Sequence, residues 1–367
     1  MSPRYEGKPT PRGRSTRQAG TKAVEDRIDE MARTGGAGRI QNVLRELDVI
    51  DSHFDRRAVD LVRRRLISVL GSVSSDKPVS SRLGARLAGR PYDEHRIQLL
   101  SSLVTTLDNT APEPIPELGP ASRWRWLAFF EAYFSNFIEG TEFGVEEARS
   151  IVVEGFVPSA RPEDAHDVAA TYRLVSDPST RSRTPSTAES LLDMLRTQHA
   201  MLLAAHPDKR PGEFKNRPNY AGGYEFVAPE LVEGTLRRGF EILDPLTDPF
   251  QRAVALMFLI TECHPFDDGN GRLARAISNA ALTAGGQVRI IIPTVYRNNY
   301  LAALSGLSNR AGAGESLIAV LRFAQRWTAR IDWSDYDQAN EQLTVTNAFI
   351  DPGLADRTGQ QLKLPAF

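Results

Sequence analysis

The chain has 367 residues, 41% of them hydrophobic and 25% charged. That length suggests two domains or one large helical body, with ample apolar material for a core. A net charge of −1 gives no overall pull toward nucleic acid or an anionic membrane. The single cysteine, Cys263, excludes an intramolecular disulfide framework and fits a reducing compartment. No apolar run approaches the ~20 residues of a membrane span. The N-terminus lacks the apolar core of a signal peptide. A soluble, cytoplasmic protein with no membrane partner is expected.

Residues 1–22 carry Arg4, Lys8, Arg12, Arg14, Arg17 and Lys22 against Glu6 alone. Too little apolar surface is available there to offset the ordering entropy, so a disordered basic tail is expected over 1–35. The basic run is diffuse, and a nucleic-acid partner is not expected. The spacing of Phe54, Val59, Leu61, Val62, Leu66, Ile67 and Leu70 predicts a helix over 53–70, capped by Asp51 or Ser52. A second helical pattern covers 94–107. The sequence PEPIPELGP at 112–120 then breaks the chain. An aromatic-rich helix follows over 121–139, with Gly140 as its C′ residue.

Further helices are predicted at 145–153, 163–175, 187–205, 229–242, 251–262, 271–283, 298–307, 315–331 and 335–347. Strand signals are few. Pro218, Gly222 and Gly223 between short aromatic pieces predict a small hairpin within 213–228. Val288 to Ile292 reads as a second short strand. The fold class is mostly α, a multi-helix body with one minor β element.

The most specific stretch is HPFDDGNGRLAR, residues 264–275. The helix before it is apolar almost all round, which marks it as buried, and Pro265 ends it so that His264 is delivered at its tip. A new helix starts near Asn270. Gly269 and Gly271 let the backbone turn tightly and approach a ligand. The free N–H groups of that helix start form an anion site suited to phosphate. Arg272 and Arg275 add charge-assisted hydrogen bonds. Asp268 offers a hard oxygen ligand for Mg²⁺, and phosphate oxygens and water would complete the shell. His264 titrates near neutrality and can accept a proton from a hydroxyl. A calcium loop does not fit, because its first and last ligands would be Phe266 and Ile277. A Cys263–His264 nucleophile pair does not fit either, since adjacent residues do not face each other.

HPFDDGNGRLAR resembles the signature of Fic-domain proteins. GEFKNRPNYAGGYEFVAPE (212–230) resembles that family's flap, and RIIIPTVYRNNYLAAL (289–304) resembles the segment after its signature helix. The resemblance implies a Fic fold that transfers AMP from ATP to a Tyr, Thr or Ser hydroxyl of a target protein, or of the chain itself. It makes His264 the general base and Asp268 the Mg²⁺ ligand. Gly269, Asn270 and Gly271 become the anion hole, with Arg272 and Arg275 on the phosphate tail. Tyr300 would line the adenine pocket, and Asn309 would reach the base. The target segment would dock along the 213–228 flap by strand addition. A glycine at 271, where phosphate-transferring relatives carry lysine, points to nucleotidyl transfer.

SNFIEG (135–140) resembles the family's inhibitory helix, placed N-terminal to the core. Ser135 and Glu139 share a helix face. The resemblance pairs Glu139 with Arg275, where it would displace the γ-phosphate. Four regions follow from this: the tail at 1–35, a helical region with the inhibitory helix at 36–150, a catalytic core at 151–310 and a helical extension at 311–367. Two other functions are compatible with the same residues. One is a hydrolase that removes AMP from a modified protein. The other is a nucleotide-sensing or interaction module without turnover. The oligomeric state is not legible.

Overall fold

A computed structural model describes residues 20–71, 77–117 and 121–365. Two compact units are found, 1–91 and 92–367. The region expected to run from 36 to 150 is therefore divided between them. The part of the tail at 1–19 lies outside the described residues.

The first unit holds α1 (Thr21–Ile50), α2 (Arg56–Val69) and α3 (Ser81–Leu87). Residues 21–35, expected in the disordered tail, are helical instead. Burial explains the difference: Ile28 packs with Ile40, Leu66 and Leu83. Glu25 is fully buried, pairing with Arg65 at 2.7 Å and accepting the Ser80 N–H at 2.7 Å. Gly36 breaks α1 with a φ of +58°. Asp55, rather than Asp51 or Ser52, caps α2, accepting the Ala58 N–H at 3.0 Å.

The second unit continues with α4 (Glu94–Asp108), α5 (Trp124–Ile138), α6 (Val145–Arg149), α7 (Pro162–Ser176) and α8 (Ala188–Leu202). A hairpin of β1 (Tyr220–Ala221) and β2 (Tyr224–Glu225) comes next. Then follow α9 (Val232–Ile242), α10 (Pro249–Cys263), α11 (Asn270–Ala284), α12 (Arg297–Asn309), α13 (Gly314–Arg330), α14 (Tyr336–Val345) and α15 (Pro352–Thr358). The class is mostly α, as the sequence indicates. No helix among the described residues is long and apolar enough to cross a membrane.

The hairpin is antiparallel, with Tyr220 opposite Glu225. Gly222 and Gly223 have φ of +53° and +87°, the double positive φ that a tight two-residue turn requires. The expected strand at 288–292 does not form. Only a bridge between Pro116 and Gln287 is present there. Side chains satisfy its backbone in place of a neighbouring strand: Asn279 bonds both the N–H and the carbonyl of Ile290, Thr328 the Ile291 N–H, and Gln325 the Val288 carbonyl.

Helix α10 is buried nearly all round and packs along α11. Asp248 caps it by accepting the Gln251 N–H at 3.0 Å. The aromatic face of α5 packs on a second cluster, with Phe130 stacked on Tyr336 at 5.7 Å. A buried polar knot ties α5 to α11: Glu131 pairs with Arg289 at 2.5 Å and accepts from Asn279 at 2.9 Å. The C-terminal end of α5 meets the first turns of α11 separately, through Arg272 on Asn136 and Arg275 on Ser135 and Glu139.

Candidate active site

His264 terminates α10 in the left-handed region, with φ of +48°. Non-glycine residues rarely adopt that conformation, and it turns the side chain out of the helix line. Its Nδ1 lies 3.2 Å from the Thr261 carbonyl oxygen. A carbonyl only accepts, so Nδ1 carries the proton and Nε2 keeps a lone pair. Phe226 stacks on the ring at 3.9 Å and 8°. Burial pulls the imidazole pKa down to about 4. The ring is therefore neutral near pH 7.

A cleft of about 410 Å³ opens beside it. His264, Gly271, Arg275, Glu139, Tyr300 and Asn309 all line this cleft. The other expected residues are not among those that line it. Gly269 caps α11 with φ of +71°. The Asn270 side chain braces the loop, accepting the Phe266 N–H and donating to the Phe266 carbonyl, both at 2.9 Å. The Asn270, Gly271 and Arg272 N–H groups have no acceptor among the described residues. They form the positive end of α11.

Arg272 does not line the cleft. It is 3% exposed and pairs with Asp167 at 2.5 Å and with Asn136 at 3.3 Å. Asp268 leaves 46% of its side chain exposed. Its neighbour Asp267 is taken by Arg210 at 2.9 Å. No group of three or more carboxylate, histidine or cysteine side chains is placed to hold a metal among the described residues. One open carboxylate suits Mg²⁺ that arrives with a nucleotide and takes its other ligands from phosphate and water.

Glu139 caps α5, and Gly140 follows with φ of +94°. The Glu139 carboxylate meets Arg275 at 2.7 Å. Ser135 bonds the same guanidinium, its Oγ accepting from Nε at 3.0 Å and its carbonyl from Nη2 at 2.9 Å. Burial opposes the Arg275 charge, yet Glu139 and Tyr300 together outweigh it and hold the guanidinium above its ordinary range. Gly271 makes the contact possible: a Cβ there would sit 2.2 Å from Glu139 Oε1. Tyr300 is 1% exposed, with its hydroxyl 3.5 Å from the Met257 sulfur. Asn309 is exposed, and its amide is turned back to the Ser305 carbonyl at 2.8 Å.

Three residues near the site escape sequence reasoning. His199 is fully buried, accepts the Gly212 N–H on Nδ1 at 2.9 Å and donates from Nε2 to the Asp268 carbonyl at 3.1 Å. It stacks on Phe266 at 3.8 Å, and burial lowers its pKa to about 4. The available signal was its place four residues after Leu195 and eight after Leu191, on the apolar face of α8. Lys215 is 3% exposed and bonds Asn219, which itself donates to the His264 and Phe266 carbonyls. Burial lowers its pKa to about 8. Arg297 donates from Nε to the Ile138 carbonyl at 3.0 Å, holding the end of α5 that carries Glu139.

Residues 189–282 match the model of the Fic/DOC family. Among curated proteins it is 26% identical to "Protein adenylyltransferase fic-1" of Caenorhabditis elegans over 184 residues, 48% of this chain and 36% of that one. It is 27% identical to "Protein adenylyltransferase Fic" of Nematostella vectensis over 209 residues, 55% of this chain and 48% of that one. The chain thus spans less than half the length of these relatives. Among solved structures, "Fic-1 (aa134 - 508) from C. elegans" aligns with a TM-score of 0.46 and 16% identity, covering 84% of this chain and 88% of that one.

Proposed function

We propose that the chain is a protein adenylyltransferase held in check by Glu139. The observation that carries the proposal is the shared cleft: a neutral His264, the N-terminal end of α11 and Arg275 border one cavity, with Glu139 on Arg275. ATP with Mg²⁺ is the nucleotide substrate, and Asp268 is the residue that would hold the ion. A target Tyr, Thr or Ser oxygen attacks the α-phosphorus of ATP while His264 Nε2 takes the hydroxyl proton. The bond to the β-phosphate oxygen breaks, and pyrophosphate leaves. The α11 N–H groups stabilise the charge on the phosphoryl oxygens. Arg275 binds the phosphate tail once Glu139 releases it, and Tyr300 closes the buried side of the nucleotide pocket. The target segment adds to the hairpin at 217–225.

Labelled ATP and a gel test this reading. Glu139→Gly raises AMP incorporation into target proteins of a cell lysate or into the chain itself, and adding His264→Ala abolishes it. A Glu139→Gly protein that binds MgATP but labels nothing refutes transfer.

A second reading is AMP removal by the same site. It is favoured by one fact: the Glu139 carboxylate faces the cleft that His264 faces, where it can orient water. Release of AMP from an adenylylated protein by the unmutated chain, lost in Glu139→Gly, separates the two.

A further inference from the structure

Tyr224 of β2 places its hydroxyl on Glu262 of α10. The same carboxylate accepts from Ser308 Oγ of α12 at 2.6 Å and pairs with Arg96 of α4 at 2.9 Å. Arg96 also donates to the Tyr224 hydroxyl and to the Glu225 carbonyl. Its guanidinium lies 4.5 Å from the Tyr224 ring centre. Four elements distant in sequence therefore meet on one carboxylate that is 4% exposed. A buried charge is tolerated only when it is well paired, and this one has three partners.

The hairpin needs such support. Each strand is two residues long, and an isolated hairpin is marginal in water. Its position matters for the imidazole. Two residues beyond Tyr224 is Phe226, which stacks on His264, and two residues beyond Glu262 is His264 itself.

We propose that Arg96, Glu262 and Tyr224 form a lock that holds the hairpin closed against His264, making them positioning residues for the site. Their part in transfer rests on the adenylyltransferase reading; the lock itself does not. Releasing it frees the hairpin edge and withdraws Phe226 from the ring.

Tyr224→Phe is the clean test. It removes one oxygen and keeps the ring and every charge, including Glu139, Asp268, Lys215 and Glu262 around His264. Glu262→Gln is the companion. In the full chain, amide hydrogen exchange over 219–226 rises about tenfold in both variants, while exchange in α10 and α11 stays unchanged. The His264 ring, followed by NMR, titrates above its starting value of about 4 and toward 6.5. Unchanged hairpin exchange and an unmoved His264 titration overturn the lock. So does a rise spread evenly over the whole unit, which marks lost stability instead. If the hairpin loosens as expected but Glu139→Gly transfers no label, the lock stands and the transfer reading falls.

Discussion

Replacing Gly271 with alanine tests the Glu139 contact without any nucleotide. Gly271 lies in helical backbone inside α11, so alanine fits its φ and ψ. In an exposed helix interior the exchange gains about 0.8–1.0 kcal/mol of propensity. Here the new methyl would stand 2.2 Å from Glu139 Oε1, more than an ångström inside contact distance. Glu139 caps the C-terminal end of α5, with 28% of its side chain exposed, so it swings away. The charge-assisted bond to Arg275 is lost, which costs about 1.5–3 kcal/mol. The net change in the unmutated chain is a loss of about 0.5–2 kcal/mol.

In a Glu139→Gly background the obstacle is gone. Arg275 Nη1, at 3.1 Å, is the end of a flexible side chain and yields. The same alanine then stabilises by about 1 kcal/mol. The four proteins form a cycle whose coupling is about 1.5–3 kcal/mol. Denaturant midpoints read it, and for a body this large each kcal/mol moves Tm by about 2 °C. An equal effect of Gly271→Ala in both backgrounds refutes the contact as a fixed feature of the folded chain. The alanine should not activate, since its methyl also occupies the phosphate approach.

Acid should weaken the fold through two imidazoles. His199 and His264 bind protons near pH 6.5 when unfolded and near pH 4 when folded. Between those values the unfolded chain holds more protons, so stability drops as pH falls from 6.5 toward 4 and is fully present above 6.5. Urea midpoints at pH 7.5 and pH 5 check the sign, and a higher midpoint at pH 5 contradicts it. The same burial sets the acid limb of AMP transfer by Glu139→Gly below pH 6; a limb centred at 6.5 means His264 is solvated. Asp167→Ala strands the buried Arg272 charge with Asn136 and should cost about 3–5 kcal/mol, read as a lower thermal midpoint. Asp167→Asn keeps an acceptor and should cost less.

What could be read from the chain was local, and what could not was held by distant partners. The run from His264 to Arg275 announced a helix end, a tight turn and a helix start within twelve residues, because proline, glycine and arginine each restrict the backbone or the charge in a known way. The pattern Ser135 to Gly140 also predicted the end of a helix. Arg272 was legible as a cation but not as one committed to Asp167, 105 residues away. Its role differs from that of Arg275 although both fit the same local pattern. The helix at 21–35 was hidden because its polar residues looked solvated, whereas Glu25 is buried on Arg65, 40 residues on. The segment 288–292 has the composition of a strand, but Asn279, Gln325 and Thr328 bond its backbone instead. In each case a polar side chain from elsewhere decided the structure. Periodicity detects apolar faces, and it carries no record of which buried polar group will meet which. The Arg96–Glu262–Tyr224 cluster belongs to the same class, since Arg96 and Tyr224 lie 128 residues apart and no local pattern marks that they meet.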